Sequence, residues 1–218
     1  MDYLAFGLDG TGRLPPLPEM SRELGISVAS LREQLEVVKA LGLVEVRPRT
    51  GIRRLPYTFA PAIKKSLSFA VAVDADCFMK YSDLRNRVEA AYWYEAVGLL
   101  TREDHDVLRE LIHGAFVKLN GSPIQVPHAE HRQLHMKVFC RLGNLFVTGL
   151  LEAYWDVYEQ RGLDVYTNFD YLQRVWKYHE KMVESICSGE FASGYAALTE
   201  HMGLLFQRPK PLPQQLFE

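Results

Sequence analysis

His131, His135, His179 and His201 are the residues of this chain whose types and spacing point to chemistry. His131 and His135 lie four residues apart in HRQLHMKVF, so on a helix both rings leave one face about a turn apart. His179 and His201 are 22 residues apart, each inside its own amphipathic segment. Three helices can therefore bring four imidazole nitrogens to one point, as helical bundles do when they hold a metal ion. Imidazole nitrogen suits Zn, Ni, Cu or Fe and is a poor ligand for Mg or Ca.

The segments that must position these rings all read as helix. DADCFMKYSDLRNRVEAAYWYEAVGLL is long and amphipathic. Thr101 and Asp104 stand at capping-box spacing ahead of the next helix, with Asp in place of the usual Glu, and Asn120-Gly121 closes it. PHAEHRQLHMKVFCRLGN carries the first two histidines, with Pro127 near its first turn. Stretches from about Leu145 to Gln160, Phe169 to Ser188 and Glu190 to Phe206 complete the set. No strand is expected after residue 56, and the tail QRPKPLPQQLFE reads as extended or flexible.

Composition bounds what this unit can belong to. At 218 residues, 48% hydrophobic and 24% charged, the chain is long enough for one large or two small domains and is not disordered. A net charge of -2 means that any nucleic-acid site must gather its cations locally. Three cysteines without metal-type spacing fit a reduced cytoplasmic protein with buried thiols. MDYLAFGLDGTG lacks the form of a signal peptide, and no apolar run is long enough to span a membrane.

The first 56 residues carry a different pattern. Residues 1–13 are Gly-rich and read as loose, with Tyr3, Leu4 and Phe6 available to dock. PLPEMSRELGI is a short helix ended by Gly25. Ser27 caps a second helix, SVASLREQLEVVKALG, with Leu31, Leu35, Val38 and Leu41 at helical spacing. LVEVRPRTGIRRL then alternates like a hairpin turning at Pro48 to Gly51. Two helices, a tight turn and a basic hairpin make a winged helix-turn-helix, whose second helix enters the major groove. Ser27, Ser30, Arg32 and Gln34 on that helix, with Arg47, Arg49 and Arg53 on the wing, are the expected DNA contacts; Arg54 extends the cationic run. Glu33 and Glu36 oppose this, since carboxylates facing phosphate cost affinity.

These residues carry a resemblance. Leu14-Pro15, Leu24-Gly25, Ser27, Leu31-Arg32-Glu33, Leu35, Gly42-Leu43-Val44 and Gly51 make the N-terminal stretch similar to the DNA-binding domain of the GntR family of bacterial regulators. Val28, Pro18 and Glu36 stand where that family usually has Arg, which bears on the strength of DNA binding. The helical half resembles the FCD-type ligand-binding domain of the FadR subfamily. Leu84-Arg85 with Glu89, His135 followed by Gly143-Asn144, Tyr178-His179-Glu180, Gly189-Glu190 and Glu200-His201-Met202 carry that match over about residues 78 to 206. His131 occupies the position of the family's aspartate ligand, and His128 falls outside the matched ligand set.

The resemblance implies a metal centre of His131, His135, His179 and His201 and an organic-acid effector. Four neutral imidazoles leave a divalent ion's double charge uncompensated, which favours an anion in its open positions. A small carboxylate held by the ion and by Arg85 is the expected effector, with Tyr92 and Trp93 as pocket walls. Arg85 can alternatively pair with Glu89 one turn on. His105 and His113 receive no role, and Tyr154 and Trp176 read as core or interface.

The expected fold is therefore mostly α. Residues 1–56 form the winged helix-turn-helix, 57–77 a linker or first helix, 78–206 an antiparallel helical effector- and metal-binding bundle, and 207–218 a tail. The expected function is a cytoplasmic, ligand-responsive regulator, a repressor by family tendency, binding a double-stranded operator as a homodimer. Zinc or nickel is the expected cofactor and no enzymatic activity is expected. Two alternatives stand beside it: a metal-dependent hydrolase, against which Glu130 and Glu180, adjacent to the histidines in sequence, point about 100° away on their helices and are not well aimed as a base, and a metabolite sensor that has lost tight DNA binding.

Overall fold

The computed structural model of the chain describes residues 2–6, 12–160 and 168–205. It divides into two compact units, Met1–Ala75 with Leu145–Ala153, and Asp76–Asn144 with the chain from Tyr154 onward.

In the first unit, α2 (Leu17–Leu24) ends at Gly25, which adopts the left-handed conformation at φ 66°. The backbone then re-enters helix at Ser27, whose hydroxyl accepts from the Ser30 backbone N–H at 3.2 Å and caps α3 (Val28–Ala40). Leu31 and Val38 of α3 turn inward. Val38, Val44 and Ile52 form a small core to which Leu4, Leu14, Leu17, Leu35 and Leu43 add. Strands β2 (Val44–Arg47) and β3 (Gly51–Arg54) pair antiparallel, with Val46 opposite Ile52 and Arg47 opposite Gly51. Arg49 takes φ 67° in the turn between them.

The wing has one more strand than the sequence pattern indicates. β1 (Arg13–Leu14) pairs with β3, giving the order β1-β3-β2. Residues 2–6, read as loose, form a five-residue helix α1 (Asp2–Phe6). Its Leu4 packs on the small core and its Tyr3 hydroxyl donates to Glu23 at 3.1 Å. Two residues carry no periodicity and one turn of helix has no propensity of its own, so neither element could be read locally. Residues 7–11 and the expected tail at 207–218 lie outside the described residues. The same unit holds α4 (Ala60–Val73) within the stretch expected as linker or first helix. It also holds the first part of α8 (Leu145–Gln160), where a Cβ on Gly149 would meet the Ala60 backbone nitrogen at 2.7 Å.

The regular elements of the second unit among the described residues are all helices: α5 (Asp76–Gly98), α6 (Arg102–Leu119), α7 (His128–Val138), the end of α8, α9 (Phe169–Ser188) and α10 (Phe191–Leu204). The expected capping box is present, with Thr101 and Asp104 bonding reciprocally at the start of α6. α9 packs against both α6 and α10, α10 against α5, and α6 against α7. Gly194 sets the approach of α10, since a Cβ there would stand 2.7 Å from the Trp93 ring and 3.2 Å from Ser185 Cβ. α7 stops at Val138, short of the expected Gly143-Asn144.

Among the described residues no strand follows residue 56, and no helix is long and apolar enough to cross a membrane. The thiols depart from expectation: Cys140, just past the end of α7, is exposed, and Cys77 and Cys187 are only half-buried.

Candidate metal centre and effector cavity

α7 carries His131 and His135 on one face, and charged contacts at both ends hold it in place. Near its start Glu130 pairs with Lys118 of α6 at 2.6 Å; near its end Lys137 pairs with buried Asp104 at 2.6 Å, and Arg141 joins the same carboxylate. Arg132 reaches Asp156 at 2.7 Å and Glu159 at 3.1 Å on the end of α8. Arg141, followed by Lys137 and Thr101, holds the Asp104 carboxyl far below the usual carboxylate range. These contacts fix the helix against α6 and α8, so its two rings arrive at a set height and rotation.

His179 from α9 and His201 from α10 meet them. One ring nitrogen from each of the four histidines lies within 4.8 Å of the others. His135 Nε2 stands 3.1 Å from His179 Nε2, and the His179 and His201 ring centroids are 4.3 Å apart. His135 and His179 are fully buried, His201 nearly so and His131 half-buried. Burial above all, with Arg85 adding for His135, drives the three buried rings well below the ordinary histidine pKa. They are therefore neutral imidazoles at neutral pH, the form that ligates metals.

The donor set fits a transition-metal ion. Nitrogens bound at 2.0–2.1 Å to one centre lie at most roughly 4 Å apart, so a contraction of under about 1 Å completes the arrangement. Nδ1 of His179 and Nδ1 of His201 are buried with no hydrogen-bond partner, a deficit that a native core ordinarily resolves through an ion or water. His128 opens α7, is exposed, and stands outside the four-ring cluster.

A cavity of about 50 Å³ adjoins the cluster, lined among others by His131, His201, Arg85, Trp155, Tyr158 and Trp176. By volume it would hold roughly three to five water molecules. His128 is also on its wall. The expected walls Tyr92 and Trp93 are elsewhere. Trp93 is fully buried with its indole N–H donating to the Phe191 carbonyl at 2.9 Å, and the Tyr92 hydroxyl accepts from Asn144 at 3.4 Å. They follow Arg85 by seven and eight residues, about 11–12 Å along α5, where α10 closes over Trp93 at Gly194. Tyr154 and Trp176, read as core or interface, line the cavity instead.

Trp155 is the site residue sequence reasoning missed. Its ring is 4.7 Å from that of His131, and its buried indole N–H has no acceptor. Arg85, stacked over Tyr154 and Trp155 at 4.8 and 5.4 Å, likewise keeps its buried Nε unpartnered. The two orphan donors flank one small cavity, an arrangement that suits an acceptor-rich ligand. Arg85 also forms the alternative intrahelical contact, with Nη2 2.8 Å from Glu89 Oε1. Burial pushes the Glu89 carboxyl up, against the pull of Arg85 and His201.

The FCD domain matches residues 81–204, more than half of the 218-residue chain and the whole of this centre. The chain belongs to the FCD-domain family. Over nearly its whole length it shares the fold of GntR-type regulators. A Streptococcus agalactiae GntR protein superposes with a TM-score of 0.65 at 15% identity, covering 94% of this chain and 93% of that one. Escherichia coli McbR/YncC gives 0.53 at 16% identity over 94% and 90%, and the Listeria monocytogenes protein Lar 0.54 at 13% identity over 94% and 90%. No curated protein matches this chain by sequence. FCD proteins are regulators rather than enzymes, and the two carboxylates named for the hydrolase alternative lie elsewhere. Glu130 is bound to Lys118, while Glu180 lines a separate cleft with Arg109 and His113.

In the winged helix-turn-helix, Arg32, Gln34, Arg47, Arg49 and Arg53, the expected DNA contacts, are exposed and Ser30 is half-buried. The Ser27 hydroxyl is engaged as the α3 cap. Arg47 pairs with Glu45 at 2.9 Å, and Arg54 donates to the Leu4 carbonyl at 3.0 Å, so Arg54 serves the fold. β1 brings Arg13 beside Arg53, a cation the hairpin reading did not include. Glu36 pairs with Lys39 at 2.8 Å, which offsets its repulsion toward phosphate.

Proposed function

We propose that this FCD-family regulator is a metal-dependent sensor of a small carboxylate. The observation that carries the reading is the buried four-histidine cluster opening onto a cavity with Arg85 on its wall. His131, His135, His179 and His201 would hold zinc or nickel, supplying a Lewis-acidic centre with open positions. Arg85 orients the acid's second oxygen through its planar guanidinium, and the Trp155 N–H offers a further donor. Tyr154, Tyr158 and Trp176 exclude water and limit the ligand to a few heavy atoms.

The DNA-reading residues are Ser30, Arg32 and Gln34 on α3 and Arg47, Arg49 and Arg53 on the wing, while Ser27 sets the helix start. The protein acts in the cytoplasm as a homodimer on a two-fold operator, as a repressor, and the acid shifts the population between binding-competent and incompetent arrangements. Loss of tight DNA binding, the alternative suggested by Val28 and Glu36, has less support now that Glu36 is seen paired with Lys39.

The test is a thermal-shift screen of C2 to C6 carboxylates on zinc-loaded protein, repeated with Arg85→Lys, together with operator selection from random duplex. A stabilising acid whose effect weakens at least tenfold in Arg85→Lys, and which alters retention of the selected duplex, supports the reading. Retention of all duplexes equally would contradict it.

A further inference from the structure

His135 is in contact with two side chains that make opposite demands on its ring proton. Its Nδ1 stands 2.8 Å from Arg85 Nη2 and 3.3 Å from Glu89 Oε1, and its Nε2 stands 3.1 Å from His179 Nε2. All three partners are at least nine-tenths buried, so water cannot resolve the conflict. A guanidinium only donates, and a carboxylate only accepts. With Arg85 donating to Nδ1, the proton of a neutral His135 sits on Nε2, from which it is shared with His179. That tautomer has no lone pair on Nε2.

When Nε2 is the ligand atom, the proton of the same neutral ring is on Nδ1. Nδ1–H and Arg85 Nη2 would then be two donors at 2.8 Å, and the acceptor in reach is Glu89 Oε1. Metal-ligating histidines commonly donate their second nitrogen to a carboxylate in this way. Glu89 is built for the exchange: it is fully buried and neither of its oxygens has an aligned hydrogen bond, although Arg85 is within ion-pair distance.

We propose that Glu89 is the positioning residue of the metal centre: it accepts a hydrogen bond from His135 Nδ1–H, which leaves the Nε2 lone pair for the ion, in exchange for the Nε2–H tautomer that Arg85 enforces. The proton count of the ring does not change; the proton moves from Nε2 to Nδ1 and the hydrogen-bond partner of Nδ1 changes from Arg85 to Glu89. The proposal rests on the metal reading of the cluster.

The test combines zinc competition against a chromophoric chelator with 15N NMR of the imidazole tautomers in the full chain. Glu89→Gln is expected to weaken zinc binding 10- to 100-fold, the usual range for losing such a partner. Arg85→Met removes the competing donor and is expected to bind zinc at least as tightly as wild type. In wild type, His135 is expected to carry its proton on Nε2 in chelator and on Nδ1 with zinc. Zinc affinity of Glu89→Gln within twofold of wild type, weaker binding by Arg85→Met, or an Nδ1 proton already present in chelator would each overturn the exchange while leaving the metal centre standing. The wild-type NMR arm decides the matter even if a variant fails to fold. A wild type that binds no zinc overturns both.

Discussion

At the scale of single residues, the unusual expense is the burial of three neutral histidines beside a buried arginine and glutamate. The pH dependence follows from that expense. Burial holds His135, His179 and His201 below their ordinary pKa, so the folded chain refuses protons that the unfolded chain accepts below about pH 6.5. Unfolding then takes up protons, and stability falls as pH drops. The groups facing these rings are Arg85 and Glu89 of α5, His131 of α7, and Tyr154, Trp155 and Trp176 from α8 and α9. Metal-free protein is expected to lose melting temperature progressively from pH 7.5 to 5.5 in chelator, by calorimetry or circular dichroism. A flat profile over that range would count against neutral buried rings. A second expectation concerns the position where this chain departs from the family. His131→Asp adds one negative charge to the ligand set, so binding of manganese, measured by competition, should strengthen at least tenfold relative to zinc.

At the scale of elements, α7 is the part whose placement decides the site. Asp104 is its anchor, binding Lys137 and Arg141 while completing the α6 capping box. Asp104→Ala removes the carboxylate half of the α6 capping box and the shared partner of Lys137 and Arg141, a loss of about 1–3 kcal/mol, and metal affinity should drop with it because His131 and His135 lose their support. A denaturant titration alongside zinc competition checks both; intact metal affinity in a destabilised variant would separate the anchor from the site. Gly194→Ala forces a methyl against Trp93 and Ser185 and should cost about 1–3 kcal/mol. Much of this was legible in the chain: the caps at Ser27 and Thr101, the helix periodicities and the spacing of the four histidines each rest on local signals. What was not legible depended on distant packing. The third wing strand is two residues long, the N-terminal helix is stabilised by Leu4 docking, and the cavity wall passed from Tyr92 and Trp93 to Trp155 because α10 closes over Trp93. Helix arithmetic places residues on a face but does not say where along that face the neighbouring helix touches down.

For the whole molecule, a winged helix-turn-helix fold and a helical FCD domain in one chain with net charge -2 mean that the proposed DNA affinity depends on a few local cations. Arg32, Arg49 and Arg53 are exposed at the reading end, and Arg13 joins them through β1. Arg53→Ala should reduce the slope of log affinity against log salt by about 1 per protomer, measured by fluorescence anisotropy on the selected operator. An unchanged slope would remove Arg53 from the phosphate contacts. The central claim, however, is the metal. Elemental analysis of protein purified without a metal-affinity tag, beside a His131→Ala/His179→Ala double variant, tests it most directly. About one zinc or nickel per wild-type chain and none in the variant is the predicted result. Metal absent from both, or retained undiminished by the variant, would contradict the account.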